Sequence, residues 1–408
     1  MRIAITGLGA VTALGPDVSA LERGLRAGTT GIRPLTLFDT SGFRTRLAAE
    51  AATPALPSEA ISLDKSPVPL SRPDRFGLAA AAQAIVHAGL TAEILHAAAL
   101  VLGTGTGGIQ LTESYVERAH AGEIAPPTAL LVPHQPSSVT DLVGRHFGIH
   151  GPRTTIMTAC SSSATAIGYA ADRIRLGHVK IAIGGGAEGL CRLTYAGFGS
   201  LRATSPDPCK PFDQSRTGLT LGEGAAMLVL EDEAHARARG ATIYAYLAGY
   251  GITADAHHMT APHPEGEGAF RAMRAALDDA KLSSDAIDYI NAHGTATPHN
   301  DAAESAAIRR LLDARAENVP ISSIKAMVGH TLGAAGAIEA VASVLSIHRG
   351  FIPPTLNLET PDPAFGKMDF VPGKSRDQKI RTILSNSFAF GGNNTCLAFT
   401  DEGSQAGR

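Results

Sequence analysis

Short apolar runs alternate with alanine-rich stretches of helical period along this chain. Residues 2–9 predict a buried strand that ends in a glycine turn. Between 75 and 88 the apolar positions recur at helical spacing, and Gly89 supplies a stop. Positions 98–102 predict a strand running into the turn G-T-G-T-G-G, and the proline-bearing stretch 119–137 predicts an irregular excursion. A strand at 154–158 and a helix at 161–176 follow, with Arg173 and Arg175 in the last turns of the helix. Further strands are expected at 179–185 and 225–230, separated by a loop over 200–222.

Near Arg239 the pattern restarts. It predicts strand 243–249, helix 268–280, strand 288–292, helix 302–312, strand 319–323 and helix 334–348. Strands at 383–387 and 395–399 close the chain around Gly391 and Gly392. Two successive series of strands and helices imply an α/β protein built of two similar βα halves. The expected division is 1–237 for the first half, 238–402 for the second and 403–408 for a loose polar tail.

Composition narrows the function. With 408 residues, 44% of them hydrophobic and 18% charged, the chain can bury a large core. A net charge of −3 offers no basic stripe for nucleic acid, so no nucleic-acid partner is expected. No apolar run approaches membrane-spanning length, so no membrane partner is expected either. The apolar start is broken by glycines and reads as a first strand rather than a leader. Its G-L-G-A-V-T lacks the third glycine of a dinucleotide fingerprint. Cysteines 160, 191, 209 and 396 form no C-x-x-C pair, so neither a metal site nor a disulfide framework is expected, and a cytoplasmic location fits free thiols.

Cys160 carries the chemistry, in T-A-C-S-S-S-A-T-A-I-G at a predicted strand-to-helix junction. A helix N-terminus favours the thiolate, and small flanking residues let a thioester approach backbone N–H groups. The other reading of any isolated cysteine is a structural core thiol, which is kept for Cys191, Cys209 and Cys396. His293, in N-A-H-G-T-A-T-P, and His330, in S-I-K-A-M-V-G-H-T-L-G-A-A-G, sit among small and hydroxylated residues. A neutral imidazole donates one hydrogen bond to a thioester carbonyl, and two such donors can hold the enolate left when a malonyl carboxylate departs. A strand-end histidine and a surface-loop histidine are the alternative readings.

These motifs, from T-G-L-G-A-V-T to N-S-F-A-F-G-G-N-N, resemble the elongating, Cys-His-His class of β-ketoacyl-acyl-carrier-protein synthases over nearly the whole chain. The resemblance implies a thiolase-like fold of five layers, α-β-α-β-α. It implies decarboxylative condensation with Cys160 as acyl acceptor and His293 and His330 as the decarboxylation pair. Lys325 resembles the family's active-site lysine and is expected to pair with Glu339. Thr295 and Thr297 match the residues that contact the phosphopantetheine arm. Phe390 matches the gate whose N–H joins that of Cys160 in the oxyanion hole. Asp301 and Glu304 match supporting acids, while Thr106 and Phe198 match acyl-pocket positions, Phe198 being equally readable as a core aromatic. Arg202 and Arg72 match docking arginines for an acidic carrier.

Initiating synthases of this superfamily use Cys-His-Asn and thiolases a second cysteine, so His330 favours the elongating class. Ala389 and Asn393 stand where the family usually has Gly and Thr, and A-C-S-S-S-A is closer to polyketide and specialised ketosynthases. The implied partners are an acyl carrier protein and a second copy, or a chain-length-factor-like subunit, with no dissociable cofactor. A type II polyketide or aryl polyene ketosynthase is the alternative within catalysis, and a non-catalytic carrier-protein scaffold is the alternative outside it.

Overall fold

The computed structural model describes residues 2–57 and 66–404, so residues 405–408 of the expected tail lie outside the described residues. Ten strands form one continuous ladder. From one edge it runs Ile321–Ser322, Tyr289–Asn291, Thr382–Phe388, Asn393–Thr400, Ala245–Ala254, Ile3–Val11, Gly224–Asp232, Ile181–Glu188, Ala99–Gly103 and Arg153–Ile156.

The two halves of this ladder repeat one topology. In the first, Ala99–Gly103 pairs parallel with both Arg153–Ile156 and Ile181–Glu188, and Ile181–Glu188 pairs antiparallel with Gly224–Asp232. In the second, Tyr289–Asn291 pairs parallel with both Ile321–Ser322 and Thr382–Phe388, and Thr382–Phe388 pairs antiparallel with Asn393–Thr400. The halves join where Ile3, Ala4 and Ile5 meet Leu247, Tyr246 and Ala245. The expected pair of similar βα units is thus visible as a repeat of strand order.

Five layers result. Arg72–His87 covers the outer face of the first half, and Glu267–Ala280 with Pro298–Leu312 that of the second. Ser162–Arg175 and Ala335–Arg349 lie between the halves and pack on each other. Ala335–Arg349 is buried from Ala335 to Ser346, which explains its apolar character all round. The two central helices approach so closely that a Cβ at Gly336 would lie 2.7 Å from that of Ala164. Among the described residues, no helix is long and apolar enough to cross a membrane.

Most predicted elements lie within a few residues of the observed ones. The helix expected from 75 begins at Arg72, because Ser71 and Asp74 form a reciprocal capping box. The excursion at 119–137 contains a 3-10 segment, Thr128–His134. Val18–Ala27, Ile109–His120, Ser138–His146 and Arg192–Ser200 are helices that the sequence reading did not place.

Candidate functional site

Cys160 sits in a 3-10 turn, Ala159–Ser161, that leads directly into Ser162–Arg175. Ala159 adopts a left-handed φ of 52°, which turns the thiol out of the strand direction. The serines staple this turn: Ser161 Oγ donates to Thr158 O (2.9 Å), Ser162 Oγ to Ala159 O (2.6 Å), and Thr158 N–H to Ser162 Oγ (2.9 Å). They therefore fix the nucleophile as well as leaving space beside it.

His293 follows the strand Tyr289–Asn291, and Glu304 holds its loop by accepting N–H bonds from His293 (2.9 Å) and Gly294 (2.8 Å). Burial pushes the Glu304 carboxyl up to about 6 despite those donors. Asp301 accepts from Phe212 N–H (2.8 Å) and Ala296 N–H (3.1 Å), bracing the same loop. His330 is fixed through its backbone, donating to Thr220 O (2.7 Å) and accepting from Gly222 N–H (2.9 Å).

The three side chains line one cavity of about 470 Å³, together with Phe198, Arg202, Thr295, Thr297 and Phe390. His330 Nε2 lies 3.1 Å from Cys160 Sγ, and the His293 and His330 rings meet nearly edge-on, 5.3 Å apart. Lys325, itself buried, bonds Glu339 and donates to His293 O (2.5 Å) and His293 Nδ1 (3.2 Å). Leu332 N–H donates to His330 Nδ1 (3.3 Å). Burial and the Lys325 charge hold both imidazoles well below the ordinary histidine range, so both are neutral near pH 7. With both Nδ1 atoms accepting, the single ring proton of each is on Nε2, facing the cavity.

The electrostatics of Cys160 depart from the expectation of a lowered thiol. Burial pushes it up to about 12, outweighing the Lys325 charge and the Phe390 N–H bond that favour the thiolate. Phe390 is nonetheless placed where expected: its N–H reaches the sulfur, and its ring stacks on Phe198 with centroids 5.5 Å apart. Thr295 and Thr297 share a hydroxyl–hydroxyl bond of 2.9 Å on the cavity wall, and Thr297 also caps Pro298–Leu312.

Two expected site residues lie elsewhere. Thr106 does not line the cavity; its hydroxyl and N–H are bound by the carboxylate of Glu188. Arg72 is not a free docking group, because it forms a two-point ion pair with fully buried Glu223 and also donates to Ala51 O (2.8 Å). Arg202, by contrast, is exposed at the cavity rim. Removing Arg72 leaves an uncompensated buried carboxylate, so Arg72→Met should destabilise the fold by about 3 kcal/mol. Arg202→Glu should leave stability unchanged and raise KM for carrier-bound substrate. Denaturant midpoints and initial rates test both, and a wild-type midpoint for Arg72→Met contradicts the first.

Sequence reasoning missed Glu188, Asp255 and Asn394. Asn394 Nδ2 bonds Asp255 Oδ1 (2.8 Å), and Asp255 N–H bonds Gly392 O (2.9 Å), tying the Phe390 loop to its neighbour. Only the lone carboxylate ending the glycine run I-A-I-G-G-G-A-E hinted at Glu188. Ala389 has φ −119° and ψ 153°, ordinary extended backbone, so its methyl group imposes no strain in this conformation. The ligand atoms of Cys160, His293 and His330 lie within 4.8 Å of one another, close enough for all three to reach one thioester group.

Comparison with known proteins agrees with this geometry. Residues 1–236 match the beta-ketoacyl synthase N-terminal domain, and residues 244–359 the C-terminal domain. The chain is 40% identical to 3-oxoacyl-[acyl-carrier-protein] synthase 2 of Synechocystis sp., over 98% of this chain and 97% of the relative. It is 41% identical to putative polyketide beta-ketoacyl synthase 1 of Streptomyces cyaneus, over 98% of each. Among solved structures, the ishigamide ketosynthase/chain length factor superposes with TM-score 0.91 at 36% identity, covering 98% of this chain and 99% of that one. The AntDE:AntF complex, a ketosynthase with its acyl-carrier protein, superposes with TM-score 0.89 at 30% identity and the same coverage. A repeated βα topology of thiolase type, both family domains and likeness over 98% of the chain to 3-oxoacyl-[acyl-carrier-protein] and polyketide synthases place the chain in the β-ketoacyl synthase family.

Proposed function

We propose that this protein condenses an acyl thioester with a malonyl thioester, both held on an acyl carrier protein. One observation carries the reading: a thiol and two neutral imidazoles with Nε2–H groups converge on one cavity. In loading, Cys160 Sγ attacks the acyl carbonyl, the carrier thiolate leaves, and the Cys160 proton ends on that thiol. Thr295 and Thr297 contact the phosphopantetheine arm at the cavity wall. Malonyl carrier then loses carbon dioxide, and its electron pair becomes an enolate whose oxygen accepts from His293 and His330.

The enolate carbon attacks the acyl group, and the resulting oxyanion accepts from the N–H groups of Cys160 and Phe390. Collapse expels the Cys160 thiolate, which takes up one proton, and releases the 3-oxoacyl thioester. Lys325, held by Glu339, keeps His293 in its donor tautomer, and Asp301 and Glu304 brace the loop behind it. Phe198 packs beside the acyl chain. No dissociable cofactor enters the scheme. Residues 1–237 supply the nucleophile and 238–402 both histidines.

The likeness to a ketosynthase/chain length factor pair and to a ketosynthase bound to its carrier protein supports two partners here, an acyl carrier protein and a second subunit. That subunit is a second copy of this chain or, on the polyketide reading, a chain-length-factor-like protein. Free buried thiols are consistent with work in the cytoplasm. Intact-mass analysis after incubation with a panel of acyl-carrier thioesters tests the reading. An acyl adduct on Cys160 and malonyl-dependent release of carbon dioxide are expected, and hydrolysis without an adduct would overturn it.

A further inference from the structure

Glu188 ends the strand Ile181–Glu188, is fully buried, and is absent from the cavity wall. Its carboxylate accepts from Gly105 N–H (2.6 Å), Gly333 N–H (3.0 Å), Thr106 N–H (3.1 Å) and the Thr106 hydroxyl. Four donors and no acceptor around one carboxyl favour its ionised form, against a burial that raises its pKa. Both backbones approach closely only because they are glycine: a Cβ at Gly105 or Gly333 would lie 2.6 or 2.7 Å from Glu188 Oε2.

The anchored Gly333 follows a strained residue. Leu332 has φ 46°, the left-handed region, unfavourable for a residue with a side chain. In that conformation its N–H points at His330 Nδ1. Such strain persists only where the surroundings over-determine it, and the Gly333 bond to Glu188 supplies that constraint.

We propose that Glu188 is a positioning residue for His330: it holds the strained Leu332 turn that keeps the His330 proton on Nε2. Thr106 takes part through its hydroxyl. Without the anchor, Leu332 relaxes toward negative φ and its N–H leaves Nδ1. The ring proton then shares both nitrogens, and a lone pair faces the substrate oxygen for part of the time. This rests on the reading that His330 donates to the enolate, but the tautomer itself is measurable without turnover.

The test uses full-length wild-type protein, Glu188→Gln, Thr106→Val and Thr106→Ser. ¹⁵N spectra of ring-labelled histidine, with His330 assigned by its loss in His330→Asn, report the tautomer. Glu188→Gln should lower kcat for condensation about 10- to 100-fold, the size of loss seen when the partner that orients a metal-ligating histidine is removed. KM for malonyl carrier should barely move, and acyl loading of Cys160 should fall less than condensation. In the same variant the His330 Nδ1 resonance should lose its acceptor character. Thr106→Val should change both readouts in the same direction but less, with Thr106→Ser restoring them.

A fully Nε2-protonated His330 in Glu188→Gln overturns the proposal, as does equal loss of loading and condensation. Should Glu188→Gln fail to fold, Thr106→Val decides on the same criteria. If wild-type protein neither loads nor condenses, the functional reading fails while the tautomer measurement still stands or falls by itself.

Discussion

Cys160→Ala is expected to abolish condensation, by at least about 10⁴-fold, and to remove the acyl-enzyme mass. The reason is geometric. Cys191, Cys209 and Cys396 are buried, and none lines the cavity that holds His293 and His330. Their sulfurs meet Thr194 Oγ1, Lys325 O and Leu397 O respectively rather than a site imidazole, so none presents its thiol to the substrate. Decarboxylation of malonyl carrier should survive, because both Nε2–H donors and the threonine-lined wall remain. Peptide mapping after acyl loading checks the assignment: an adduct on any other cysteine would contradict it. Retained condensation in the alanine variant would contradict the covalent scheme altogether.

The parts of this architecture that a single sequence discloses are those whose cause is local. The turn around Cys160 was legible because the β-branched run T-T-I gives way to small residues and then to alanine-rich helical spacing. The repeat of the two halves was legible because strand and helix patterns recur after residue 239, although the shared strand order needs the pairing partners. Ile109–His120 was not legible because it starts straight after a glycine-rich turn, with Gly108 at its N-cap and no capping side chain to mark the start.

The state of the Cys160 thiol was hidden for a different reason. Helix-terminus position is encoded within a few residues, whereas desolvation comes from Leu190, Leu219, Leu332 and other residues far apart in sequence. The partners of Arg72 and Thr106 were hidden on the same ground: Glu223 and Glu188 lie 151 and 82 positions away. Lys325 and Glu339, 14 positions apart, pair as the family resemblance implied, not as anything in their spacing required.

His293→Ala and His330→Ala should each suppress condensation by about 10²–10³, the usual cost of a preorganised donor where charge develops. Acyl loading should persist in both, since each Nε2–H faces the enolate oxygen rather than relaying the thiol proton. The two losses should differ in one respect. His330 touches Cys160 directly, at 3.1 Å, whereas His293 is tied to Lys325 and Glu339. His330→Ala should therefore also alter the loading rate, by removing a donor to the sulfur, while His293→Ala should leave loading near wild type. Burial raises the Glu339 carboxyl above the ordinary carboxylate range although the Lys325 charge holds it down, so its ionised partnership with Lys325 weakens as pH falls. Decarboxylation by wild-type protein should accordingly fall as Glu339 takes up a proton on the acid side, and Glu339→Gln should flatten that limb. Single-turnover loading and carbon dioxide release, measured separately across pH, distinguish these effects. A double histidine variant that still releases carbon dioxide at the wild-type rate would remove both residues from the decarboxylation step.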